Sequence, residues 1–219
     1  MNFVRSSFVL ILLIVIGTAY AQTVYNFPTL YAEKTTVTET TGFKATTYEE
    51  IHVVENGNKT ARYITETRDI SMANIVEETK SVSIWDGEWA TTYNPETREG
   101  NKMKLDLVGN ISGMNEDEQQ QMADQLGQST ITVTEDIGTK EINGATCIGT
   151  RSTTNLMGMN TVTEIWMHEG FVMESNSESA GTTVNEKVTK FNKGATIDPE
   201  KLKVPSDVTI TEMSSPLGN

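Results

Sequence analysis

Cysteine occurs once in the 219 residues, at position 147, so no intrachain disulfide can form and the fold must be held by burial. Histidine occurs twice, at positions 52 and 168, and with a single cysteine this excludes a Cys-rich structural zinc site and a three-His catalytic one. The five prolines gather into no linker, and no stretch rich in Pro or Ser divides the chain. Basic residues are few, 17 against 30 acidic ones, a balance that opposes binding to nucleic-acid phosphates or to anionic membrane surfaces. Neither a Gly-x-Ser-x-Gly elbow, a P-loop nor a dinucleotide fingerprint occurs, so the sequence offers no catalytic residue, no metal site and no cofactor to name.

Long apolar runs are also missing, with one exception. Arg5 precedes an unbroken run from Phe8 to Ile16, followed by Gly17-Thr18-Ala19-Tyr20-Ala21. A membrane helix needs roughly 20 apolar residues, and this run is shorter. The small residues at 19 and 21 predict a signal peptide over residues 1–21, cleaved to leave Gln22 first. No Cys follows the cleavage site, so a lipid anchor is not expected and the product is periplasmic or secreted. What remains is 198 residues carrying 16 basic and 30 acidic side chains, a formal charge of −14. One domain over 35–208 is expected, after a lead-in over 22–34 and before a tail over 209–219 that lacks pattern.

What is present reads as strand and turn, with Thr, Val, Ile, Tyr and Trp in short runs broken by Gly, Asn and Asp. From Phe43 to Val54 one alternating face carries Phe43, Ala45, Ile51 and Val53, interrupted by Thr47 and Glu49. Asn56-Gly57, Asp86-Gly87, Asn143-Gly144 and Glu169-Gly170 mark turns, the Asn-Gly pairs because both central residues of a tight hairpin need positive φ. Strands are expected over 60–68, 81–85, 88–93, 102–107, 129–137, 139–142, 145–154, 161–168, 171–177 and 183–191, the later ones as an antiparallel meander. One helix is predicted near Asn115 to Leu126, where Asn115 caps and Glu118 completes a capping box. The carboxylates Glu116, Asp117 and Glu118 suit a helix start better than a cation site, since the Ca²⁺-loop spacing is absent.

Each notable side chain admits two readings. Cys147, set in Ala145-Thr146-Cys147-Ile148, reads as a small buried core residue, with a reactive thiol or a dimer bridge as the alternatives. Met157, Met159, Met167 and Met173 could supply thioether ligands for Cu(I), yet packing is the simpler role. Trp85, Trp89 and Trp166 invite a sugar-platform or lipid-pocket reading beside that of core anchors. Arg62 shares a strand face with Ile64, so it either finds a buried carboxylate or snorkels to water, and snorkelling is the reading adopted. Glu164 and His168 lie roughly 13 Å apart along an extended strand, too far to grip one ion.

Gly138-Thr139-Lys140-Glu141-Ile142-Asn143-Gly144-Ala145-Thr146-Cys147, the turn Gly158-Met159, Thr163-Glu164-Ile165-Trp166-Met167 and a closing Pro-containing segment resemble the LolA-like half-barrel superfamily of bacterial exported proteins. Asn58-Lys59-Thr60-Ala61-Arg62, Ile84-Trp85-Asp86-Gly87 and Tyr93-Asn94-Pro95 are similar to its second-strand and third-strand patterns. The resemblance implies a mainly β fold, a curved antiparallel sheet wrapped around one or few helices and enclosing an apolar cavity that takes acyl chains. The long N-terminal helix of the lipoprotein carriers is replaced here by Tyr25 to Lys34, so their shuttling activity is not carried over. The expectation is a non-catalytic envelope protein that holds an apolar or amphiphilic, lipid-like ligand. Trp85, Trp89, Trp166, Met167 and Met173 are the candidate ligand contacts, and the partner is a lipid or a lipoprotein acyl chain. An envelope protein-interaction module with a packed interior is the alternative, and a hydrolase the third.

Overall fold

A computed structural model describes residues 25–104, 131–156 and 159–213. The predicted leader, the predicted helix near Asn115 to Leu126 and the turn at Met157-Gly158 lie outside the described residues. Twelve strands form: β1 (Thr29–Thr40), β2 (Phe43–Val54), β3 (Lys59–Ile70), β4 (Ile75–Trp85), β5 (Trp89–Asn94), β6 (Glu99–Lys104), β7 (Ile131–Ile142), β8 (Ala145–Leu156), β9 (Met159–His168), β10 (Phe171–Ser179), β11 (Thr182–Lys193) and β12 (Thr209–Met213). They make one open, curved sheet in the order β12-β6-β5-β4-β3-β2-β1-β11-β10-β9-β8-β7, a half-barrel. Two meanders, β1 to β6 and β7 to β11, join where β11 runs antiparallel beside β1. No helix among the described residues is long and apolar enough to cross a membrane.

The turns follow from their residues. Asn143 and Gly144 both take positive φ, 50° and 75°, so this pair makes the tight β7–β8 turn as expected. At Asn56-Gly57 the outcome differs: Glu55, Asn56 and Gly57 all have positive φ, and a four-residue connection joins Val54 to Lys59, which remain paired. The expected break at Gly138 is a bulge inside one continuous strand, where the Asp136 carboxylate accepts from the Gly138 N–H. Asp86 closes the β4–β5 turn by accepting from the backbone N–H of Glu88 and Trp89.

Two apolar cores lie on opposite faces of the sheet. The first gathers Leu30 and Ala32 of β1, Ile51 and Val53 of β2, and Ile142, Cys147, Phe171, Met173 and Val188 from the other half. Tyr25 and Phe27 join it, stacked 5.1 Å apart. Pairing sets Ala61 of β3 opposite His52 of β2, and therefore on the reverse face. There it meets Val82, Ile84 and Tyr93, covered by Leu202, Val204, Val208 and Ile210. Residues 194–208 thus form a strap over the reverse face, fixed where Tyr63 donates to the Lys201 carbonyl and Lys201 reaches Glu50.

The stretch from 209, expected to lack pattern, continues the sheet: β12 pairs in parallel with β6, Ile210 beside Gly100. Its five residues present only Ile210 and Met213 as apolar side chains, too few for a periodic signal. Likewise β1 begins at Thr29, inside the stretch read as a lead-in.

Candidate functional site

Along the face that carries Leu30, the chemistry changes in a fixed order. Direct pairing places Leu30 opposite Val53, Ala32 opposite Ile51, Lys34 opposite Glu49 and Thr36 opposite Thr47, so these residues share one face. Ile51 in turn faces Arg62, and Arg62 faces Ser83. Thr36 faces Glu186 on the other side, and Glu186 faces Ser175. The face therefore runs from fully buried aliphatic groups, through the charged group of Lys34, Glu49, Arg62 and Glu186, to half-buried hydroxyls such as Thr36, Thr47, Ser81, Ser175 and Thr163, among which Ile64, Val184 and Ile165 are interspersed.

Glu49 is the centre of the charged group. Its side chain is 8% exposed, and it accepts from Lys34 Nζ at 2.8 Å on one oxygen and from Arg62 Nη1 at 3.3 Å on the other. Lys34 also reaches Glu186 at 3.4 Å. Burial alone would push the Glu49 carboxyl up; Lys34 and Arg62 outweigh it and hold the group below the usual carboxylate range. Burial likewise opposes the Arg62 charge, and Glu49 foremost outweighs it, leaving the guanidinium more basic than usual. Arg62 is thus half-buried, its side chain 20% exposed as the snorkelling reading has it, and it also finds a carboxylate, because pairing in register brings Glu49 next to it from the neighbouring strand.

Three buried donors or acceptors have no partner among the described residues: Arg62 Nε, Trp85 Nε1 and His52 Nδ1. The first two share the Leu30 face, since Trp85 pairs with Thr60 and Arg62 with Ser83. His52 lies on the reverse face, its Nε2 2.6 Å from Glu50, and its ring contacts those of Tyr31 and Tyr63. Burial first, then Tyr93 and Glu50, pushes the Tyr63 hydroxyl up to about 12.

The expected ligand contacts do not converge. Trp85 lies on the Leu30 face of β4, whereas Trp89 points to the other face of β5, with Lys102 4.4 Å from its ring centre. Trp166 packs at the margin of the first core under Lys140, 4.3 Å from its ring. Met173 is fully buried in that core, and Met167 is 39% exposed. Beyond Ile51 the described part of the Leu30 face is mixed, with half-buried Ile64, Val184 and Ile165 standing among charges and hydroxyls rather than forming the continuous apolar cavity wall that the resemblance implies. Lys34, Glu49, Arg62 and Glu186 were missed as a group, although Glu49 was visible as a break in the apolar alternation of β2.

An open depression of about 460 Å³ lies elsewhere, lined by Asn143, Thr146, His168, Phe191 and Lys193 among others. There His168 Nδ1 donates to the Thr146 carbonyl at 2.9 Å, and the Lys193 ammonium holds Glu169 at 2.8 Å.

No family model matches the chain. No curated protein matches it either. Among solved structures it is similar to an uncharacterized conserved protein from Thermus thermophilus, at 8% identity and a TM-score of 0.49, covering 86% of this chain and 92% of that one. LprF from Mycobacterium bovis matches at 11% identity and a TM-score of 0.39, covering 84% and 90%. A putative outer membrane lipoprotein-sorting protein domain from Vibrio parahaemolyticus matches at 8% identity and a TM-score of 0.32, covering 80% and 89%.

Proposed function

We propose that this chain is an exported, non-catalytic binding protein of the cell envelope that holds one amphiphilic, lipid-like molecule against the Leu30 face of its sheet. The observation that carries the reading is the graded chemistry of that face. A ligand with an acyl chain and a polar head requires an apolar region continuous with a polar one, and the strands supply both within a few residues: Ala32 and Ile51, then Lys34, Glu49 and Arg62, then hydroxyls. A purely apolar ligand would leave those charges in dry surroundings, where each ion costs several kcal/mol unless paired and solvated. Amphiphiles are thereby favoured over hydrocarbons.

The test is native mass spectrometry of the secreted protein, alone and with monolauroylglycerol, beside tryptophan emission. A single added mass and a blue-shifted or quenched emission are expected. Absence of any adduct at micromolar protein and excess lipid would overturn the reading. The same spectrum checks export, since the mature chain should begin at Gln22.

A protein partner is the second reading, favoured by the β3–β4 hairpin end, where Met72 is 85%, Val76 70% and Ile75 43% exposed. Loss of that partner on Met72→Ser with lipid binding unchanged would support it.

A further inference from the structure

Two buried N–H groups lie on the face proposed to hold the ligand. Arg62 Nε and Trp85 Nε1 are both buried and without a partner among the described residues. A buried donor without an acceptor costs free energy, and native structures rarely leave one so. These two stand on one face of adjacent strands, one residue pair apart: Thr60 faces Trp85 and Arg62 faces Ser83. Such diagonal neighbours lie about 7–8 Å apart at the backbone, within reach of long and aromatic side chains. The two donors thus stand on diagonal neighbours beside the first core, where Ile51 flanks Arg62.

Charge decides which acceptor fits. Arg62 and Lys34 are already balanced by Glu49 and Glu186, two positive against two negative groups. A carboxylate or phosphate would place a third negative charge near buried Glu49, which is unfavourable at low dielectric. A neutral oxygen with two lone pairs accepts both N–H groups without disturbing the balance. We infer that Arg62 Nε and Trp85 Nε1 together bind the carbonyl oxygen of an acyl ester or amide, at the junction of the ligand's chain and head. This rests on the amphiphile reading above and makes Arg62 and Trp85 its specificity-determining residues.

The experiment compares three twelve-carbon probes of the intact mature protein: monolauroylglycerol, its 1-O-dodecyl ether counterpart, which lacks the carbonyl, and laurate. N-lauroylethanolamine is added to separate amide from ester. Binding is followed by native mass spectrometry and by the ¹H–¹⁵N signals of the three indoles. Trp85 is assigned by Trp85→Phe or, should that variant not fold, by elimination with Trp89→Phe and Trp166→Phe. The carbonyl probes should move the Trp85 indole signal downfield and bind about two- to tenfold tighter than the ether, the loss of one or two ordinary hydrogen bonds. Arg62→Lys, which keeps the charge beside Glu49 but has no Nε donor, should abolish that preference. Ester and ether binding equally, with the Trp85 signal alike in both, would overturn the inference and leave the amphiphile reading standing. Laurate binding most tightly would overturn the charge argument, and binding of no probe would remove the reading itself.

Discussion

Replacing Glu49 by Leu should be among the most damaging single changes available in this chain. The carboxylate is 8% exposed and holds two cations, Lys34 at 2.8 Å and Arg62 at 3.3 Å. Lys34 retains Glu186 after the change, at 3.4 Å. Arg62 retains nothing comparable, and its Nε is already without a partner among the described residues. Removing one partner from a buried pair costs about 3–5 kcal/mol, chiefly because the remaining charge is stranded. Against a typical domain stability of about 5–15 kcal/mol that is about a fifth or more of the total. For a domain of this size it corresponds to a drop in Tm of roughly 6–20 °C. Urea and thermal denaturation followed by circular dichroism measure it directly.

The double variant Glu49→Leu/Arg62→Met should recover much of the loss, since no charge is then stranded, giving a coupling energy of about 1–3 kcal/mol. The pH dependence has a definite sign. Glu49 titrates lower in the folded chain than in the unfolded one, so the folded state binds fewer protons. Its stabilisation is complete above the ordinary glutamate pKa, about 4.3, and is lost as pH falls through the lower folded value. The gap between the parent and Glu49→Leu should therefore be constant from pH 7 to about 5 and close in acid. A loss under about 1 kcal/mol at pH 7, or strict additivity of the two substitutions, would refute the account.

Cys147, fully buried and with its thiol pushed up by burial, should react slowly with thiol reagents in the folded state and quickly in urea; equal rates would place it at the surface. Gly149→Ala should destabilise by about 1–3 kcal/mol, because a Cβ there would come within 2.5 Å of the Trp166 ring and 2.7 Å of Ile137; unchanged Tm would mean that the ring moves freely. Tyr63→Phe should cost about 0.5–1.5 kcal/mol by freeing the strap's Lys201 carbonyl, and limited proteolysis should then cut first between 194 and 208; cutting elsewhere would show the strap is held by its apolar contacts alone.

Strand periodicity and turn chemistry carried most of the fold into view, for local reasons. Asn143-Gly144 and Asp86-Gly87 encode their own turns, and Ile51 and Val53 show their buried face by alternation. The limits are equally local. β12 is five residues held by an edge it joins in parallel, and nothing in Thr209 to Met213 announces a partner at residues 99–103. Alternation puts His52 on the face opposite Ile51, where it lies; it is nevertheless 5% exposed, because residues from beyond position 190 return to cover that face. The charged group is the harder case. Lys34, Glu49, Arg62 and Glu186 come from four strands, and each alone looks like an ordinary polar position in a half-buried strand. Only the register makes them neighbours, and register between β1 and β11 is set more than 140 residues apart in sequence. The legible trace was negative: Leu30, Ala32, then Lys34; Val53, Ile51, then Glu49. Where two paired strands break their apolar alternation at facing positions, with opposite charges, the break is itself the signal of a buried pair. A third charge from the next strand, Arg62 beside Ile51, then marks where the fully buried apolar part of the face gives way to half-buried positions and where the proposed ligand's polar head would begin.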